Sequence, residues 1–99
     1  MVPYAMNTNR DPDDPHGYRR LNQWLDGLSV RLAGLGLLEE AAAARRASQF
    51  FGGSPTEFLG ESRIALRAIR AQQLPADLRS EVDQVIDDID EGFRRVGER

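Results

Sequence analysis

The chain has 99 residues, enough for one compact domain and no second, and its 40% hydrophobic and 29% charged residues match a globular protein and exclude wholesale disorder. The absence of cysteine removes disulfides, thiolate zinc sites and Cys nucleophiles, and the single histidine, His16, excludes any site that needs two imidazoles from one chain. Sixteen acidic residues against thirteen basic ones give a net charge of −3, which disfavours the electrostatic footprint of a nucleic-acid binder.

Residues 1 to about 13 read as a flexible tail: Asn7, Thr8, Asn9, Asp11, Pro12, Asp13 and Asp14 form a polar stretch without periodicity, and Tyr4 and Met6 are its candidate docking side chains. The remainder, 14–99, reads as a single helical domain. A first helix is predicted from about 15 to 33, with Asp14 as an acidic cap, Pro15 at the first position, and Leu21, Trp24, Leu25, Leu28 and Leu32 on one face. Leu35 and Gly36 end it. A second helix from about 37 to 51 carries Glu39 and Glu40 in its first turn and Arg45 and Arg46 near its end, which complements the macrodipole, and Gly52 and Gly53 stop it.

Ser54, Pro55, Thr56 and Glu57 form a capping box that opens a third helix from about 55 to 72, with Phe58, Leu59, Ala65, Leu66 and Ile69 facing inward. A fourth helix from about 76 to 96 repeats apolar residues in steps of three and four through Leu78, Val82, Val85, Ile86, Ile89, Phe93 and Val96. No window alternates with period two and is also rich in β-branched residues, so no strand is expected. Four helices with short connections make a small antiparallel all-α bundle, with Trp24, Leu28, Leu66, Ile69, Val82, Val85, Ile89 and Phe93 in its core.

Two charged stripes bear on chemistry. Asp83, Asp87 and Asp90 fall in one sector of the fourth helix, and three such carboxylates could hold a magnesium ion, as in helical nucleotide hydrolases. Their sector lies about 110–120° from the centre of the apolar face, on a flank and not inside the bundle, so a solvated acidic face is expected and no metal or cofactor. Arg63, Arg67 and Arg70 lie at the same offset on the third helix, and a hairpin turns the stripes toward each other. The expected ladder puts Arg67 near Glu81 and Asp83, and Arg63 near Asp83 and Asp87.

His16 among Asp11, Asp13 and Asp14 reads as an exposed histidine, since one imidazole on a short tract binds metal weakly. No serine or threonine has a histidine beside it, no nucleophile elbow is present, and Gly52 to Pro55 lacks the lysine of a phosphate loop, so no catalytic residue is expected. No basic recognition helix stands out beyond the Arg63, Arg67 and Arg70 stripe, which leaves a DNA-binding reading without support.

The second helix carries surplus apolar surface. Leu37, Ala41, Ala44, Ser48 and Phe51 form one face, and Ala43, Ala47 and Phe50 a second about 100–140° away. Either the helix is covered on both sides or the second face is open to a partner. With Val30 and Ile64, which point away from their own helices' core faces, Ala43, Ala47 and Phe50 form the candidate partner-binding set. The function expected is that of a non-enzymatic interaction module presenting a helix face to a protein partner, in the manner of a neutralising immunity or antitoxin-type protein. A metal-dependent hydrolase and a structural homo-oligomer are the alternatives. Neither a positive start followed by an apolar block nor a long apolar run occurs, so no membrane span is expected and the expected location is the cytoplasm. Arginine at every basic position reflects GC-rich codons and points to a bacterial source.

Overall fold

The computed structural model describes Asp14 and residues 17–97, and all regular structure among them is helical. Its elements are α1 (Tyr18–Gly34), α2 (Leu38–Ser48), α3 (Pro55–Arg70) and α4 (Ala76–Gly97). The expected tail, with Tyr4 and Met6, and His16 lie outside the described residues.

Local chemistry accounts for each helix boundary. α1 starts three residues later than the Asp14-Pro15 reading placed it, because Gly17 takes the left-handed conformation (φ 77°) and interposes a turn, closed by its N–H donating to the Asp14 carbonyl at 3.1 Å. Asp14 still caps the helix. Its two carboxylate oxygens accept the backbone N–H groups of Arg19 and Arg20, both at 3.0 Å, satisfying two of the four orphan donors. At the other end Gly36 (φ 82°) completes a Schellman motif: its N–H donates to Ala33 O and that of Leu37 to Leu32 O, each at 3.0 Å.

α2 ends at Ser48 and not near 51, because the chain tightens into successive three-residue turns in which Gln49, Phe50 and Phe51 donate to Arg46, Ala47 and Ser48. α3 begins as the capping box requires, with Pro55 at its first position and Ser54 Oγ accepting from Glu57 N at 3.4 Å. It stops at Arg70, two residues before its expected end. α4 runs from Ala76 to Gly97.

Packing follows the size of the side chains. Ala41, Ala44 and Ala47 are buried on α2, and their small volume lets that helix approach both α1 and α3 closely. Tyr18 at the start of α1, Phe51 just after α2 and Phe58 at the start of α3 meet edge to face, with centroids 6.4 Å apart for Tyr18 and Phe58 and 5.7 Å for Phe51 and Phe58. One end of the bundle is therefore aromatic. α4 returns along α3: Phe93 lies over Gly60, Asp90 faces Arg63, and Asp83 faces Arg70. Leu21, Leu25, Leu28 and Leu32 of α1 join Phe58, Leu59, Leu66 and Ile69 of α3 and Leu78, Val82, Val85 and Ile89 of α4 in one continuous core. Of the expected core residues, Trp24 and Phe93 are only half-buried, packed against this cluster.

Ser62, fully buried on α3, has a hydroxyl with no hydrogen-bond partner among the described residues. An unpaired buried hydroxyl costs about 1–3 kcal/mol. Ser62→Ala is expected to be neutral or to stabilise by about 1 kcal/mol in urea unfolding, whereas a loss of more than that would show a hidden partner. Ile89→Ala in the same assay is expected to cost about 2–5 kcal/mol, and a loss under 1 would mean the α4 face is misassigned.

Candidate interaction surface

The five residues expected to form one partner-binding set are not brought together. Ala47 is 3% exposed, and Ala43 and Phe50 are half-buried against the core. The open-face reading of α2 is thereby corrected. Within α2 both apolar faces are covered, because an alanine-rich helix lets α1 and α3 close on it from either side, and Phe51, beyond the end of the helix, stays partly exposed. Val30 and Ile64 are 66% and 65% exposed, but each lies about 155° from the centre of its own helix's buried stripe, on different helices. They are separate surface residues, ordinary on a globular protein.

Sequence reasoning missed one pair of open apolar side chains. Leu35, at 49%, and Leu38, at 67%, flank the Gly36 turn and project from the corner between α1 and α2. Leu38 sits about 120° from the centre of the Ala41, Ala44, Ala47 stripe, so it cannot follow them inward. Counting Leu38 against that stripe alone, rather than against the whole helix, would have found it.

The charged groups are organised by α4, which carries acids on both flanks of its apolar stripe. On the α3 side Arg63 Nη1 lies 3.1 Å from Asp90 Oδ1, Arg67 Nη2 3.9 Å from the same oxygen, and Arg70 Nε donates to Asp83 Oδ1. Arg63 also covers the Phe93 ring, its guanidinium carbon 4.3 Å from the centroid. The ladder expected between the two stripes exists, but in another register. Arg63 meets Asp90 rather than Asp83 and Asp87, because α3 ends at Arg70 and the connection to Ala76 is longer than the Gln72 to Pro75 turn assumed.

Glu81 turns the other way, toward α1. It lies about 70° from the centre of the α4 apolar stripe, on the side away from Asp83 and Asp90. Its Oε1 accepts Trp24 Nε1 at 3.1 Å and Arg31 Nη1 at 2.9 Å, while Oε2 accepts Arg31 Nη2 at 3.0 Å. This is a bidentate pair on a buried carboxylate, with a tryptophan as third donor. Hydrogen bonds from Arg31 hold the Glu81 carboxyl below the usual carboxylate range, against burial, which pushes it up, and Trp24 adds to the lowering. The same contact raises the Arg31 guanidinium above its ordinary value.

With Asp83 and Asp90 engaged by arginines, the flank that could have gathered a cation carries its own counter-charges. Among the described residues no group of three or more His, Asp or Glu side chains is arranged to hold a metal ion, and no helix is long and apolar enough to cross a membrane. No protein-family model, curated protein or solved structure matches the chain.

Two measurements test these seams. Glu81, whose folded pKa is depressed, contributes stability that is present above its unfolded value near 4.3 and lost as pH falls through the lower folded value. Glu81→Gln is therefore expected to destabilise by about 1–3 kcal/mol at pH 7 and to lose less stability than the wild type on acidification, read from the fluorescence of Trp24, the chain's single tryptophan. An equal acid loss in both proteins would remove Glu81 from the account. On the other flank both partners are about one-third exposed, so the Arg63 and Asp90 pair is expected to show a coupling of about 0–1 kcal/mol in a charge-reversal double-mutant cycle, larger at low salt. A coupling of opposite sign would show that the two side chains do not pair.

Proposed function

We propose that this protein is a non-enzymatic interaction module of the bacterial cytoplasm, which offers the corner between α1 and α2 to another protein in the manner of a neutralising partner. The observation that carries the reading is the pair Leu35 and Leu38, two large aliphatic side chains left open beside a rigid turn while every leucine of α1 before that turn is buried. A Schellman turn fixes their backbone, so little ordering entropy opposes contact. Net negative charge suits a basic partner through electrostatic steering. The exposure of Leu35 and Leu38 and the burial of Ala47 support a surface at this corner over one at the Ala43, Ala47 and Phe50 face.

A carboxylate and metal hydrolase is less well supported, because Asp83 and Asp90 are held by Arg70 and Arg63.

Pairwise co-expression with the proteins encoded by the flanking genes tests the reading. A complex is expected with one of them, weakened tenfold or more by Leu38→Glu while the helical circular dichroism is retained; tenfold corresponds to about 1.4 kcal/mol. A complex that Leu35→Glu and Leu38→Glu both leave intact would place the partner surface elsewhere.

A further inference from the structure

The exposed charges of α1 and α2 that are in no ion pair among the described residues are, Asp26 at mid-helix aside, sorted by end, while Arg31 at the acidic end is taken up by Glu81. Beside Leu35 and Leu38 lie Glu39 and Glu40, in the first turn of α2, with Asp77 at the start of α4 on the same end. That grouping is fixed by the Gly36 turn and by the Arg31 to Glu81 contact, which brings the last turns of α1 to the second turn of α4. The opposite end, where Tyr18, Phe51 and Phe58 meet and Phe51 stays partly exposed, carries Arg19 in the first turn of α1 and Arg45 and Arg46 in the last turn of α2. Among the described residues none of Glu39, Glu40, Arg19, Arg45 and Arg46 is in an ion pair.

Acids at the start of α2 and arginines at its end are what its own macrodipole favours. Arg19 is not explained that way. It is a cation in the first turn of α1, where the dipole disfavours it, and it adds to the positive charge that Arg45 and Arg46 bring to that end. Glu57 and Glu61 on α3 and Arg79 on α4 carry the opposite sign at their respective ends, which confines the complementarity to the α1 and α2 half.

From this juxtaposition we infer that the protein associates with a second copy of itself head to tail, the Leu35, Leu38, Glu39 and Glu40 end of one copy seating on the Phe51, Arg45, Arg46 and Arg19 end of the next. The inference rests on the interaction reading of the same corner and adds a second copy of the chain as an occupant of it. Such a contact is heterologous: the two surfaces differ, so each copy keeps one of each free and association continues unless the rotation closes a ring. The surface is small and its charges exposed, so the association is weak, with a dissociation constant on the order of 100 µM, and it weakens with salt.

Sedimentation velocity across a concentration series, at low and high salt, tests it. The wild type is expected to associate at low salt and less at high salt. Leu38→Glu, which blocks one end, and the double variant Arg45→Gln with Arg46→Gln, which weakens the other, are each expected to remain monomeric with unchanged circular dichroism melts. Leu35→Glu serves if Leu38→Glu melts early. Mixed in equal amounts, the two blocked proteins are expected to form a 1:1 complex and nothing larger, since each retains the end the other lacks. Self-association of the arginine double variant at wild-type strength, or no complex on mixing, would overturn the head-to-tail contact. A wild type that stays monomeric throughout would overturn self-association alone, leaving the wider reading to the flanking proteins. Association unaffected by Leu38→Glu and Leu35→Glu would remove the corner from the self-contact and overturn the head-to-tail inference, while the wider reading stands or falls on the flanking proteins.

Discussion

A buried carboxylate, Glu81, ties the last helix of the bundle to the first. Along the chain each helix packs on the next, α1 on α2, α2 on α3 and α3 on α4, while the backbones of α1 and α4 do not approach closely. Glu81 bridges that gap, gathering Trp24 and Arg31 from two turns apart on α1. Three donors on two oxygens offset the cost of burying the charge, and a bidentate fork fixes orientation as well as distance. Because Arg31 keeps two-fifths of its side chain exposed, the pair is only partly desolvated, and its worth lies between that of a surface bridge and a buried one.

α4 is held from both sides by the same chemistry. Its apolar stripe of Leu78, Val82, Val85 and Ile89 enters the core, Glu81 takes α1's arginine on one flank, and Asp83 and Asp90 take α3's arginines on the other. Two of the three aspartates in that sector, Asp83 and Asp90, are thus engaged by arginines. The guanidinium groups face the acids at contact distance, and Arg63 is further fixed by the Phe93 ring beneath it.

The alanine-rich α2 decides where apolar surface is left over. Its small side chains remove the space in which a third face could remain open, so the surplus appears at the end of the helix, where the Gly36 turn carries Leu35 and Leu38 past the last covering residue. Neither Leu35 nor Leu38 belongs to the core cluster, so substitution there removes no core side chain.

The sequence by itself determined the elements. Helix periodicity, the Ser54 capping box and the Gly36 stop were legible because each is a contact between residues within five positions of one another. It also determined that arginines of α3 would face acids of α4, since equal offsets on two helices of a hairpin must meet. Only the tertiary structure decided the register of that ladder, because two residues of helix end and loop length move every pair by a step. Only it decided that Ala47 is covered and Leu38 is not, since a helical wheel shows two apolar faces and not how many neighbours arrive. The choice of Glu81 over Asp83 for α1 was likewise out of reach of the sequence: which flank of α4 a neighbour occupies depends on the angle at which helices distant in the chain come to rest, and that angle is set by the packing of all four.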